Sequence, residues 1–533
     1  MSSRSSIHEI LHTNTGLTKE TEAEVRRAMG QTLKKIDAVG IEIARLQDRL
    51  VLLCQKKRDT AKFIEAHEGL LSPIRRLIPE ILQEIFWLCL PVAHNSVLSA
   101  EEAPLLLGQV CHRWRQVTYS TPKLWCSLHI SVPPLTHPCA TAIFEASEAW
   151  ITRSGILPLS ISISDAKQME VSKDQFRPYF DLITKHARRW RNTHLQVPFC
   201  DMIDFLVETD GDRFSLLKGF HFDRTFLGAV DHPLSRKDGI LSAPLLRVLS
   251  INKVFVQLLD LPVQWSLLTG LKIDLTYSKS HEVFELLTLC LNLETCALDF
   301  DTSRHPFALQ SSGSRPDIIL TKLRTLEISG QVHQSHTSLI LLDNLATPAL
   351  QHLAYHLYGR RSLASTDILL SSKVFRSFSH RLNQPLEELE IHVNGSTTTY
   401  LIDLFSLFPG LKRLSLSYPS TFSHLPCNDG LLLGFIPSAH ISHHQSCSFE
   451  EDQVDDYELN CPSSTCLCPN LEVLNIENAS FSKHILLEYL RSRLVDYAKY
   501  NVARLRRFTI KTSIKDHDTM EEIDNLVKES GLW

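Results

Sequence analysis

Between Thr21 and Glu68 apolar residues return alternately after three and four positions. Met29, Ile36, Ile43, Leu50, Lys57 and Ile64 form one series; Val25, Thr32, Val39, Leu46, Leu53 and Thr60 form the other. Nine of these twelve are apolar, and mostly Glu, Arg, Lys, Gln and Asp stand between them. That spacing predicts a helix over 20–68 with one apolar stripe, which needs a facing surface. Isoleucine in the first series with leucine in the second favours a parallel two-stranded coil, so self-association through residues 25–64 is expected. Gly30 and Gly40 each cost about 1 kcal/mol inside a helix, and folding back on the chain's own surface is the alternative. Residues 1–19 are polar, rich in Ser and Thr, and read as a disordered lead.

The pattern changes at Ser72-Pro73. Residues 70–130 read as a small helical module. Pro79 opens a short helix in which Ile81, Leu82, Ile85, Phe86 and Leu88 cover much of the circumference, so it must be buried on two sides, one of them against a partner or a neighbouring domain. After a loop over 94–104, Leu106, Val110, Trp114 and Val117 recur at helical spacing. Pro122 stops them and Trp125 follows as an anchor.

From 131 to 533 the motif is leucine, two residues, leucine, one residue, leucine, with apolar substitutions. It stands at Leu246/Leu249/Ile251, Leu268/Leu271/Ile273, Leu293/Cys296/Leu298, Leu323/Leu326/Ile328, Leu350/Leu353/Tyr355, Leu386/Leu389/Ile391, Leu411/Leu414/Leu416, Leu471/Leu474/Ile476 and Leu505/Phe508/Ile510. Weaker copies are Trp190/Thr193/Leu195 and Leu217/Phe220/Phe222. One such unit cannot bury its own apolar face, so units stack. The expected fold is an α/β solenoid, a degenerate leucine-rich-repeat horseshoe with a parallel sheet. The asparagine of the longer consensus is matched clearly only at Asn394, so most turns must be satisfied otherwise.

Composition narrows the function. Hydrophobic residues are 43% of 533, which is globular, and the formal net charge of −5 gives no overall attraction to nucleic acid or an anionic membrane. The basic stretch KHARRWR (185–191) reads as a solvated helix face. No apolar window spans a bilayer and no secretory leader is seen. With 13 scattered cysteines this points to a cytoplasmic or nuclear protein with reduced thiols. Glycine-rich phosphate loop, nucleophile elbow and zinc-protease helix are all missing, so no catalytic residue, cofactor or metal is expected. Cys111 reads as a small buried apolar residue. Residues 419–468 interrupt the repeat with Cys427, Cys447, Cys461, Cys466, Cys468, His424, His440, His443, His444 and an acidic run. Cys466 and Cys468 are too close in sequence for the usual zinc chelate, and the insertion reads as a solvated loop.

The order Leu77, Pro79, Glu80, Ile81, Leu82, Ile85, Phe86, then Val110-Cys111, Trp114-Arg115, Pro122 and Leu124-Trp125 resembles an F-box. With the preceding heptad helix it is similar to the F-box-like family of mushroom-forming fungi over roughly residues 30–130. It departs from that family in having Ile78-Pro79 for Leu-Pro and a longer stretch between Phe86 and Val110. The resemblance implies a non-enzymatic adaptor that docks a Skp-family protein, and through it a cullin, in a ubiquitin ligase. The contact residues would be Leu77, Ile78, Pro79, Ile81, Leu82, Ile85, Val110 and Trp114, and the repeat domain would hold a protein substrate. The alternative is a non-ligase scaffold that dimerises through its N-terminal helix.

Overall fold

A computed structural model of the chain describes residues 16–134, 137–165, 171–197, 210–224, 239–252, 258–275, 280–300, 318–331, 335–358, 372–392, 398–418, 429–437, 466–479 and 481–511. Two units make up the chain, residues 1–85 and 86–533.

The first unit is dominated by α1 (Lys19–Leu71), 53 residues long. Thr18 caps it: its hydroxyl accepts from the Thr21 amide, and Glu20 and Glu22 stand in the first turn, where the helix dipole favours negative charge. Arg26 pairs with Glu22 one turn on, at 2.7 Å. The apolar stripe finds no cover here: Met29, Ile36, Val39, Ile43, Leu46, Leu50, Leu53 and Ile64 are all exposed. Gly30 and Gly40 are accommodated without a break in the helix. A 3-10 turn (Pro73–Arg76) then leads to α2 (Pro79–Leu88), within which the division between the units falls.

The second unit continues with α3 (Leu107–Val110) and α4 (His112–Ser120). Cys111 sits between them in extended backbone, and its sulfur accepts from the Trp114 amide at 3.5 Å. It is exposed rather than buried, because the N-cap position turns the side chain toward the helix's first turn and away from the core. Trp125 is buried, donates its indole N–H to the Thr118 carbonyl at 2.9 Å, and meets Trp150 edge-on at 4.8 Å.

Fifteen strands follow among the described residues: β1 (Ser127–Val132), β2 (Leu159–Asp165), β3 (Trp190–Val197), β4 (Gly219–Arg224), β5 (Val248–Asn252), β6 (Gly270–Asp274), β7 (Thr295–Phe300), β8 (Ile318–Ile319), β9 (Thr325–Gln331), β10 (Leu345–Ala346), β11 (His352–Tyr358), β12 (Glu388–His392), β13 (Arg413–Ser417), β14 (Val473–Glu477) and β15 (Arg507–Lys511). Short β8 and β10 pair with each other. The other thirteen form one sheet in chain order, every described pairing parallel. Each repeat copy found in the sequence is one of these strands. The second apolar positions align across the sheet, as in Leu326, Leu353, Leu389 and Leu414, and so do the third, as in Ile328, Tyr355, Ile391 and Leu416. These residues are buried, each contributing about 1.5–3 kcal/mol of apolar burial. Two further strands, β1 and β2, precede the copies the sequence revealed, with Leu128 opposite Ile161 and Ile130 opposite Ile163.

The first leucine of most copies closes a turn by donating its amide three residues back, as Leu350 does to Thr347 and Leu411 to Phe408. The next residue donates to its counterpart in the preceding copy: Arg324 to Glu294, Gln351 to Arg324, Glu387 to Gln351, Lys412 to Glu387, Glu472 to Lys412 and Arg506 to Glu472, at 2.7–2.9 Å. This backbone ladder satisfies the turns without an asparagine ladder; Asn394 itself lies outside the described residues. Its charged side chains pair as well, Lys412 with Glu387 at 2.7 Å and Arg506 with Glu472 at 3.2 Å. Helices cross between many strands: α5 (Ala140–Arg153), α6 (Lys173–Thr184), α7 (Ser280–Leu289), α8 (Ser335–Asn344), α9 (Ser372–His380), α10 (Thr398–Ser406), α11 (Asp429–Phe435) and α12 (Lys483–Leu494). The stretch 185–191 is not a helix face: it forms a 3-10 turn (Ala187–Arg189) and opens β3, with Arg189 donating to the Leu157 carbonyl at 2.8 Å. At the start of the sheet the loop before α3 lies along β1, with the His129 amide donating to the Ser96 carbonyl at 2.8 Å, so the edge is covered.

Candidate functional site

Two kinds of surface carry candidate chemistry. The first is apolar. In the first unit Ile78 is 57% exposed and Ile81 47%, Pro79 is exposed, and Leu77 and Ile85 are half-buried. Leu82 is fully buried, its amide donating to the Ile78 carbonyl at 3.2 Å. In the second unit Val110 is 57% exposed and Leu88 75%. Trp114 is half-buried, its ring 4.7 Å from that of buried Phe86, and Lys123 lies 4.0 Å over the exposed Trp87 ring. Within α2, then, Leu82 and Phe86 one turn apart face inward, while Ile78 before the helix and Ile81, Trp87 and Leu88 on it meet solvent. Exposed apolar side chains mark an interaction surface where they form one contiguous patch.

The second surface is the polar face of the sheet. Strand residues alternate, so the positions flanking each buried pair point the other way. On β1–β5 this face carries His129, Ser162, Ser164, His194, His221, Asp223 and Asn252. His129 shares a hydrogen bond with Ser162 at 2.9 Å, His194 meets Asp223 at 2.7 Å, and Asn252 donates to the other Asp223 oxygen. Burial alone would raise the Asp223 carboxyl, but the hydrogen bond and charge of His194, with the hydrogen bond from Asn252, outweigh it and hold it below its ordinary value. Burial, then the neighbouring imidazoles, lowers His129; burial and His194 lower His221. Further along, His352 and Glu388 are register partners on β11 and β12, with Glu390 two residues on, on the same face. Among the described residues, these three form a group whose donor atoms all lie within 4.8 Å of one another. Arg413 donates to Glu388 at 2.7 Å; that bond, more than burial opposes it, lowers the Glu388 carboxyl. The sequence reading missed this cluster because its members come from different repeat copies. Aligning the copies that begin at Leu350 and Leu386 sets His352 against Glu388, and that alignment was the available signal.

Among the described residues Cys54, Cys89, Cys111 and Cys139 are free and exposed, whereas the buried cysteines are held as thiols. Burial pushes the Cys290 thiol up to about 12 and Cys296 higher still. Of the insertion, Cys427, Cys447, Cys461 and its four histidines lie outside the described residues. Cys466 and Cys468 are described: burial raises both thiols, Cys468 to about 12. Cys466 lies 3.1 Å from a guanidinium nitrogen of the fully buried Arg493. Among the described residues no helix is long and apolar enough to cross a membrane. No protein-family model matches the chain, and no curated protein matches it.

Proposed function

We propose that this chain is a non-enzymatic adaptor of a cullin-type ubiquitin ligase. It docks a Skp-family protein through Leu77, Ile78, Pro79, Ile81, Leu82, Ile85, Val110 and Trp114. Its repeat domain, a degenerate leucine-rich-repeat horseshoe, holds a protein substrate on the polar face of the sheet, in the cytoplasm or nucleus. The observation that carries the reading is the pairing of an F-box-like order of residues with solvent exposure of Ile78, Ile81 and Val110. Leu82, buried in the chain alone, has a supporting role beside Ile78 and Ile81. Hydrogen exchange on the full chain with and without a Skp-family protein tests it: protection at 77–88 and 106–117 is expected, and unchanged exchange there contradicts it.

A second reading has its own observation. The α1 stripe is exposed from Met29 to Ile64, as a dimerising scaffold requires. It is compatible with the adaptor role unless the docking test fails, in which case the scaffold stands alone.

A further inference from the structure

We propose that the polar face of the sheet between β11 and β12 binds a divalent first-row transition-metal ion of the zinc class, held by His352, Glu388 and Glu390. The three donors are set by the fold. His352 opens β11, Glu388 opposes it in the parallel register, and Glu390 follows on the same face of β12. All three side chains are half-buried.

The distances point to a shared ion rather than to hydrogen bonds. His352 Nε2 stands 3.9 Å from Glu390 Oε1, and Nδ1 stands 3.5 Å from Glu388 Oε2. Both exceed a good N–H···O bond. Two donors with metal bonds of about 2.0–2.1 Å at a tetrahedral angle lie about 3.3–3.4 Å apart. An imidazole gives one nitrogen to one ion, so Nε2 and Glu390 form the first pair, and Glu388 swings from Nδ1 toward Nε2 to complete a set whose donor atoms, one per residue, already lie within 4.8 Å of one another. His352 Nε2 is also shut off from solvent and has no hydrogen-bond partner. A buried imidazole nitrogen normally finds a donor, an acceptor or a metal. The ion would supply its partner.

The charges agree. Two carboxylates face one fixed cation, Arg413, which donates to Glu388 Oε2, the oxygen nearest His352, so the ion would take Oε1 of Glu388. A net negative cradle remains. His356 Nε2, 3.7 Å from Glu390 Oε2, stands where an outer-shell residue orients a metal-bound carboxylate. His392, on the neighbouring position of β12, is engaged with Ser417 at 2.8 Å. One imidazole with two carboxylates is a borderline-to-hard donor set suited to zinc and its neighbours. Three protein donors leave a coordination position for water or for a side chain of a bound protein.

The test is titration of the metal-stripped full chain with Zn2+ against a chromophoric chelator, and with Co2+ as an optical probe. Wild type, Glu390→Gln and His352→Ala are compared, with circular dichroism to verify that each is folded. Because the chain has 13 cysteines and 25 histidines, the readout is the difference between wild type and variants. The expected result is one metal equivalent whose affinity falls about tenfold or more in each variant, with a Co2+ spectrum free of thiolate charge transfer. Equal uptake by wild type and folded variants, a spectrum carrying only thiolate-bound cobalt, or no uptake overturns the proposal.

Discussion

Arg493 ties together the two ends of the long insertion, and its removal has a calculable cost. The copies beginning at Leu411 and Leu471 are 60 residues apart, yet β13 and β14 pair in register like any other neighbours. Between β13 and β14 the described chain comprises residues 429–437, which include α11, and 466 onward. Arg493, on α12 and fully buried, donates to the Phe435 carbonyl on one side of that gap at 3.1 Å. On the other side it donates to Leu467 at 3.3 Å, Cys468 at 3.2 Å and Pro469 at 3.0 Å. Pro469 and Cys468 keep backbone donors, from Ala503 and Leu471, without it. Among the described residues Phe435 and Leu467 keep the Cys466 thiol as donor. One buried and one part-buried carbonyl that lose their strong donor, at roughly 1–3 kcal/mol each, together with the vacated volume, make Arg493→Ala cost about 3–5 kcal/mol. Arg493→Lys, with one cationic head and fewer donors, should recover part of that. The assay is native-state hydrogen exchange: amides in 466–479 and 483–505 should exchange more than about a hundredfold faster in the alanine variant, while β5–β9 change little. A folded Arg493→Ala protein with exchange near wild type across 466–505 would refute the clamp.

Other expectations follow from burial and charge. Ile78→Asp and Ile81→Asp alter residues already in water and should shift stability by less than about 0.5 kcal/mol, whereas Leu82→Asp places a charge at a fully buried position and should unfold its surroundings; thermal melts separate them. If the exposed α1 stripe joins two copies, light scattering should give a dimer that Ile43→Asp/Leu46→Asp converts to a folded monomer, and a monomeric wild type refutes it. Burial lowers His129, His221 and His392 below the unfolded value of about 6.5. Their neutral forms therefore contribute stability that is complete above that pH and lost as pH falls through the lowered values. Urea midpoints should drop between about pH 7 and pH 5, less steeply in His221→Asn.

Much of the repeat fold was readable because a strand's apolar period is short and each copy repeats it. Even the 60-residue gap did not obscure Leu411 and Leu471, since the motif restarts in phase. β1 escaped because Trp125/Leu128/Ile130, which has the repeat spacing, was absorbed into the F-box resemblance. In β2, LSISIS, serines fill the alternate positions and Pro158 stands where the first leucine would be. The exposure of Cys111 was hidden because an N-cap cysteine and a core cysteine look alike in sequence. On the docking helices the apolar set was legible, but which members face solvent depends on tertiary packing: Leu82 and Ile81 are adjacent and end on opposite sides. The His352, Glu388 and Glu390 cluster required knowing that consecutive copies pair in parallel without slippage.

Co-expression of the full chain with a Skp-family protein is the most direct test of the adaptor role, beside an Ile78→Asp/Ile81→Asp/Val110→Asp variant that alters only exposed side chains. The docking reading predicts a stable complex with wild type that is lost in the variant while the variant remains folded. A folded, monodisperse wild-type chain that elutes without the Skp-family protein, or a variant that still carries it, would contradict the reading.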